Sequence, residues 1–247
     1  DQRGEALAQG LGASITLGVG QFCTNPGVVL GPRGPALDRL TAALATRLEA
    51  MEPGVMLYGR LCESYAQGVE RARAAGATLL GGAAPAPEGR AAPAVLATDA
   101  ARFLAEPALQ EEVFGPASIV VAAGDATELE RAAEALLGQL TASIHGTEEE
   151  LAGHARLIEI LQRKAGRLIF NGFPTGVEVG HAMQHGGPYP ASTDSRTTSV
   201  GSAAIERFAR PVCFQDFPDV ALPPALRRAN PLAILRLVNG AWTRDPA

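Results

Sequence analysis

The chain has 247 residues, 47% hydrophobic and 19% charged, with a formal net charge of −5. It is long enough to bury a sizeable core, and without a basic run to neutralise phosphates it argues against a nucleic-acid partner. No run of 18 apolar residues occurs, which argues against a membrane-spanning helix, and the three scattered cysteines, Cys23, Cys62 and Cys213, fit a reducing cytoplasm better than a disulfide framework.

The first residues do not read as a signal peptide, and a chain beginning with Asp1 is expected to start at a processed or engineered boundary. Residues 3–17 carry Leu7, Leu11 and Ile15 at helical spacing, which predicts a helix stopping at Gly18 and Gly20. Residues 27–31 (GVVLG) are short and β-branched between Pro26 and Pro32, the pattern of a buried strand. Leu37, Leu40, Leu44, Leu48 and Met51 predict an amphipathic helix over 35–51. A helix over 63–75, a strand over 77–80 stopped by glycines, a loop over 85–93 and a short strand over 94–96 follow.

From 118 onward the pattern alternates: strand 118–122, helix 126–137, strand 140–144, one long helix 147–164, strand 167–170. Such alternation pairs strands in parallel through crossovers. The expected fold is therefore α/β, an open, mainly parallel sheet with helices on both faces. Residues 171–201 are rich in Gly, Pro, Ser and Thr, and a long irregular segment of this kind suggests a functional loop. Residues 205–228 are expected to be partly helical, and 232–238 to hold one more strand-like run before Asn239 and Gly240. The expected organisation is a domain over 1–204 and a tail over 205–247 that packs on it or mediates oligomerisation.

The first residue that could carry chemistry is Cys23, in the glycine-rich turn GVGQFCTNP over 18–26. Glycines let backbone amides approach a reacting centre, and a thiolate is the strongest side-chain nucleophile near neutral pH. A lone cysteine taken without context is more often a buried structural thiol. His181 and His185 stand four apart, a spacing that could place two imidazoles on one helix face for zinc. No Glu follows His181, and Gly and Pro flank the pair, so a substrate loop is favoured and no metal is expected. His145 and His154 read as structural or surface residues, and Cys62 and Cys213 as core or surface thiols.

The segment GQFCTN at 20–25 resembles the active-site cysteine signature of the aldehyde dehydrogenase superfamily, and EEVFGP at 111–116 resembles that family's E-E-[IV]-F-G-P segment. The resemblance runs from the first helix to the loop before Gly201. It implies Cys23 as the nucleophile, Glu112 as the carboxylate that holds the nicotinamide ribose, and Phe114 as the aromatic near the nicotinamide ring. It further implies a substrate site lined by Phe22, Phe173 and His185, the last standing where the wider family usually has an aromatic before two glycines. The segments at 167–179, 181–192, 193–201 and 210–216 are similar to the 2,5-dioxovalerate (α-ketoglutarate semialdehyde) dehydrogenases, a group that generally prefers NADP to NAD.

The resemblance implies oxidation of a semialdehyde, 2,5-dioxopentanoate to 2-oxoglutarate, through a cysteine thiohemiacetal and thioester, with NADP or NAD as cofactor. It implies a cytoplasmic homodimer or higher homo-oligomer acting on a small aldehyde. The family's general base lies in an E-L-G motif upstream of the cysteine, whereas the carboxylates before Cys23 are Asp1 and Glu5. The chain is therefore expected to match the carboxy-terminal half of a complete enzyme and to be inactive alone. Another semialdehyde dehydrogenase, such as one for succinate semialdehyde, and a catalytically silent self-associating domain stand as alternatives. Arg196 is the candidate for a substrate carboxylate. Cys23 is expected at the carboxyl end of the sheet, where open α/β folds place ligands, and the run 234–238 is expected to add an edge strand to a neighbouring copy.

Overall fold

The elements take their boundaries from caps and periodicity. The computed structural model describes residues 2–83 and 86–247, the side chains of residues 2 and 3 excepted. Helix α1 (Gln2–Thr16) leads through a turn to strand β1 (Val28–Pro32) and helix α2 (Pro35–Glu49). Pro35 opens α2 where no backbone donor is needed, and Leu37, Thr41, Leu44, Ala45 and Leu48 form its buried stripe. Met51, expected in that stripe, lies beyond the helix end and is exposed. Next come β2 (Gly54–Val55), α3 (Gly59–Ala74), β3 (Thr78–Gly82), β4 (Arg90–Ala91) and β5 (Ala94–Asp99). A short helix, α4 (Ala100–Ala105), has no counterpart in the sequence pattern; Asp99 caps it by accepting from the Arg102 amide at 2.8 Å.

Strand β6 (Ala117–Ala123), helix α5 (Ala126–Ala135) and strand β7 (Gln139–Ile144) follow. The single helix expected over 147–164 is two, α6 (Glu148–Gly153) and α7 (Ala155–Lys164). Thr147 and Glu150 close a capping box on α6. Gly153 is a poor helix former, and His154 leaves the helical region and starts α7, its carbonyl accepting from the Ile158 amide at 3.1 Å. Strand β8 (Ala165–Phe170) completes the regular part.

The main sheet has the order β1-β6-β5-β3, with β1–β6 and β5–β6 parallel and β3–β5 antiparallel. The alternation in β6 sorts two layers. Ile119, Val121 and Ala123 join Leu96 against Ala72 of α3, Phe103 of α4, and Leu129 and Ala132 of α5. Val120 joins Val95 against Leu11 and Ile15 of α1 and Leu37, Leu44 and Leu48 of α2. Helices thus cover both faces of a mainly parallel sheet. Strand β1 is an edge strand, half-buried over Val28, Val29 and Leu30, where the sequence suggested a buried one. β7 and β8 pair in parallel as a separate sheet. Among the described residues no helix is long and apolar enough to cross a membrane.

The chain divides into two compact units, one ending at Arg207 and one of Phe208–Ala247. Over 205–228, expected to be partly helical, the helical pieces are 3-10: the end of Ser202–Phe208, then Asp219–Ala221 and Pro224–Leu226, where prolines remove the donors a longer helix needs. A hairpin joins β9 (Arg236–Val238) to β10 (Ala241–Thr243) through Asn239 and Gly240, both in the left-handed region that a two-residue hairpin turn requires. Asn230 is the only buried residue described in the second unit. Its amide donates to the carbonyls of Ile234 and Arg244 at 2.9 and 2.7 Å and accepts from the Ile234 amide at 3.2 Å.

Candidate active site

The turn that carries Cys23 begins with three successive left-handed residues, Gly18 (φ 56°), Val19 (φ 59°) and Gly20 (φ 65°). For Val19 this conformation is strained. Its side chain seats against Gly54 and the cluster of Met56 and Tyr65, and that packing opposes the strain. Gln21 ties the turn down: its amide donates to the Gly18 carbonyl at 3.0 Å and accepts from the Leu57 amide at 2.8 Å. A bond from the Asn25 amide to the Phe22 carbonyl (3.0 Å) then closes a turn with Thr24 buried and Cys23 exposed.

The two signature segments touch. A Cβ on Gly20 would lie 2.3 Å from the Gly115 carbonyl group, so only glycine fits there. Asn25 donates its side-chain amide to the Gly115 carbonyl at 2.9 Å. Glu112 beside it is exposed and forms no hydrogen bond or ion pair among the described residues, while Glu111 pairs with Arg71 at 3.7 Å. Phe114 is half-buried.

This places the site at the opposite end of the sheet from the one expected. Cys23 precedes β1 and Gly115 precedes β6, so both loops stand at the amino ends of neighbouring parallel strands. The usual rule concerns loops that follow strands. Here the turn that bears the thiol feeds into its strand, and parallel pairing brings the loop before β6 to the same end.

His185 arrives from the irregular segment. Its Nε2 is 3.4 Å from Cys23 Sγ. Its backbone is held on both sides: the amide donates to Thr198 Oγ1 (2.8 Å), and the carbonyl accepts from the Ser199 amide and hydroxyl (both 2.9 Å). Behind it, a Cβ on Gly166 would lie 2.0 Å from the Gly186 carbonyl oxygen, so β8 and the His185 loop are in backbone contact. Burial, with the Arg167 charge adding to it, holds the His185 imidazole below its usual pKa of 6.5. The unfolded chain therefore binds more protons just below 6.5, and the contribution of neutral His185 to stability, complete above that pH, is lost on acidification.

The other expected residues fall into place unevenly. Phe22 is 40% exposed, its ring edge over Gly18. Phe173 packs on Gly10 of α1 and lies 5.0 Å from the His145 ring, as part of the layer with α1 and α2. Arg196 is 86% exposed and grips Asp194 through Nε (3.0 Å) and a terminal nitrogen (2.9 Å). These bonds pull the Asp194 carboxyl down to about 2. His181 pairs with Ser202 at 2.8 Å. A cleft of ≈ 330 Å³ opens beside His185, lined also by Leu140, Pro190, Ser192, Ser199 and Arg207. Sequence reasoning missed Asn25, Arg167, Thr198 and Ser199 as supports; their partners lie far off in sequence, and no local pattern marks them.

The chain matches the aldehyde dehydrogenase family over residues 3–210, and it belongs to that family. It is 50% identical over 240 residues to alpha-ketoglutaric semialdehyde dehydrogenase 2 of Azospirillum brasilense, covering 96% of this chain and 46% of that protein. It is 47% identical over 246 residues to alpha-ketoglutaric semialdehyde dehydrogenase of Acinetobacter baylyi, covering 98% and 47%. Its fold is similar to that of a mutant aldehyde dehydrogenase from Bacillus cereus, with a TM-score of 0.67 at 22% identity over 83% of this chain and 41% of that one. The chain thus spans about half the length of the curated relatives it matches.

Proposed function

We propose that the protein to which this chain belongs is an NAD(P)-dependent aldehyde dehydrogenase that oxidises 2,5-dioxopentanoate to 2-oxoglutarate, with Cys23 as its nucleophile. The observation that carries the reading is an exposed thiol 3.4 Å from the His185 imidazole, in a turn whose Gly20 and Asn25 contact Gly115 of the second signature segment. The names of the relatives near 50% identity supply the substrate class.

Cys23 Sγ adds to the aldehyde carbon and forms a C–S bond. Loss of hydride from that carbon leaves a thioester, and water cleaves the thioester to the acid and the free thiol. The nicotinamide, when bound, accepts the hydride. The donor set fits such a cofactor: Glu112 offers a free, exposed carboxylate for two ribose hydroxyls, and the half-buried Phe114 offers an apolar surface for the ring. NADP is the cofactor favoured by the resemblance to the dioxovalerate group. Phe22 and His185 border the reacting thiol, whereas Phe173 packs in the layer of α1 and α2. The deacylating base is assigned to no carboxylate of this chain. Three unpaired cysteines fit a cytoplasmic protein, and exposed apolar residues such as Leu237 and Trp242 fit a homo-oligomer.

The test is turnover of 2,5-dioxopentanoate by the full-length protein, followed as NADPH absorbance, with and without Cys23→Ala. Loss of at least three orders of magnitude is expected in the variant. Undiminished turnover would refute Cys23 as the nucleophile, and a clear preference for succinate semialdehyde would move the substrate assignment.

A further inference from the structure

We infer that His185 serves Cys23 as a hydrogen-bond donor, a neutral imidazole held in the Nε2–H tautomer because its other nitrogen is buried without an acceptor. The inference rests on Cys23 being the nucleophile.

The ring is positioned independently of the thiol. Three bonds through Thr198 and Ser199 fix the His185 backbone, and the contact of Gly186 with Gly166 fixes the loop against β8. Nε2 then stands at hydrogen-bond distance from Sγ. Nδ1, on the other side, is buried and has no hydrogen-bond partner.

The residue after Gly166 is Arg167. Its terminal nitrogens donate to the carbonyls of Pro174 (2.8 Å) and Gly176 (3.4 Å), while its Nε is buried without an acceptor. A guanidinium only donates. A hydrogen on His185 Nδ1 would thus be a buried N–H with no acceptor and a nearby cation against it. A bare lone pair there loses less, and the same positive charge favours it. The single hydrogen of the neutral ring therefore resides on Nε2. Burial and Arg167 also disfavour a second proton, so the ring is neutral at pH 7.

An Nε2–H facing Sγ favours a thiolate over a thiol and cannot take the thiol's proton. That proton leaves to solvent when Cys23 ionises. His185 acts by holding negative charge on sulfur, and its role ends as the C–S bond forms. The charged groups that face the pair are Arg167 from β8 and Arg207 across the cleft. Among the described residues no carboxylate is hydrogen-bonded to either partner.

Two measurements on the full-length protein test this. Long-range proton–nitrogen NMR reports the tautomer of each imidazole, and with four histidines in this chain a His185→Gln variant identifies the resonance. A neutral ring with its hydrogen on Nε2 at pH 7 is expected; a hydrogen on Nδ1, or an imidazolium, overturns the inference. The second is the rate of iodoacetamide labelling at Cys23, read by mass spectrometry across pH. His185→Phe should slow labelling about tenfold at pH 7. His185→Gln, which keeps an N–H donor, should retain most of the rate. No change in the Phe variant, or equal losses in both, overturns the inference while leaving the nucleophile reading intact. Labelling at Cys23 no faster than at Cys62 and Cys213 in the parent would remove the nucleophile reading, and this inference with it.

Discussion

In β6 every residue but Ala122 is buried, whereas in Phe208–Ala247 only Asn230 is. Both regions are rich in apolar residues. The second includes Val212, Phe214, Phe217, Val220, Leu226, Leu232, Leu237 and Trp242, all more than a third exposed. The first is sandwiched between helical layers, so its side chains leave water on both faces. The second is a 40-residue unit by its own bounds, too small to enclose a core. Polar groups hold its shape instead. Asn230 ties three backbone groups, and the Arg236 guanidinium donates to the carbonyls of Arg227 (2.6 Å), Arg228 (3.2 Å) and Asp245 (3.2 Å). Apolar content therefore does not say where a core is; enclosure does.

The comparison can be broken at either end. The largest effect is expected from Phe103→Ala. Phe103 is fully buried between α4, α5 and the sheet, so its truncation should cost about 3–5 kcal/mol in a urea titration. A loss under 1 kcal/mol would mean that the apolar layer is not what holds this region. Asn230→Ala should cost less, about 1–3 kcal/mol, because it leaves the Ile234 and Arg244 carbonyls without their donor. Hydrogen exchange should show faster exchange of the Ile234 amide with the β6 amides unchanged. Acceleration in β6 as well would contradict the division into separately held units.

The smallest effect belongs to Asp194→Asn. The Arg196–Asp194 pair is short and bidentate but at the surface, with Arg196 86% exposed, where screening and side-chain entropy cancel most of the attraction. No measurable change in melting temperature at pH 7 is expected. By carbon-detected NMR the Asp194 carboxyl should titrate near 2. The attraction is present above the unfolded value of 3.8 and is lost as the pH falls toward 2, so any stabilisation should vanish in that window. A stability loss at neutral pH comparable to that of Asn230→Ala would make this surface pair part of the scaffold.

Much of the first unit was legible because its elements are long and periodic. The α2 stripe and the near-continuous apolar run of β6 are direct prints of burial in sequence. Helix α4 was not legible, since six residues are too few to show a helical period, and β10 was too short to show alternation even with an Asn-Gly turn before it. The split at His154 was hidden because Leu151, Ile158 and Leu161 keep helical spacing across it. At the site, Cys23 stood out through its neighbours. The contact with His185 joins residues 162 apart and depends on three backbone bonds in the irregular segment, so no local pattern announces it. The end of the sheet was also legible, since a turn that precedes a strand stands at its amino end; the carboxyl-end expectation applied a rule that holds for loops that follow strands.

Because Val28 lies opposite Ile119, the β1–β6 ladder works as a ruler for the chemistry: four residues lie between Cys23 and Val28, and three between Gly115 and Ile119. One residue inserted or deleted between Thr24 and Gly27 would displace the thiol by about 3.3 Å against the 111–116 loop or slip the strand and turn its side chains to the wrong face. Neither displacement is compatible with a 3.4 Å contact to His185. Length variation should therefore be forbidden in these two short spans. It should be tolerated in the exposed stretch around Pro87 and Glu88, where the chain can be lengthened without moving either end of the ruler.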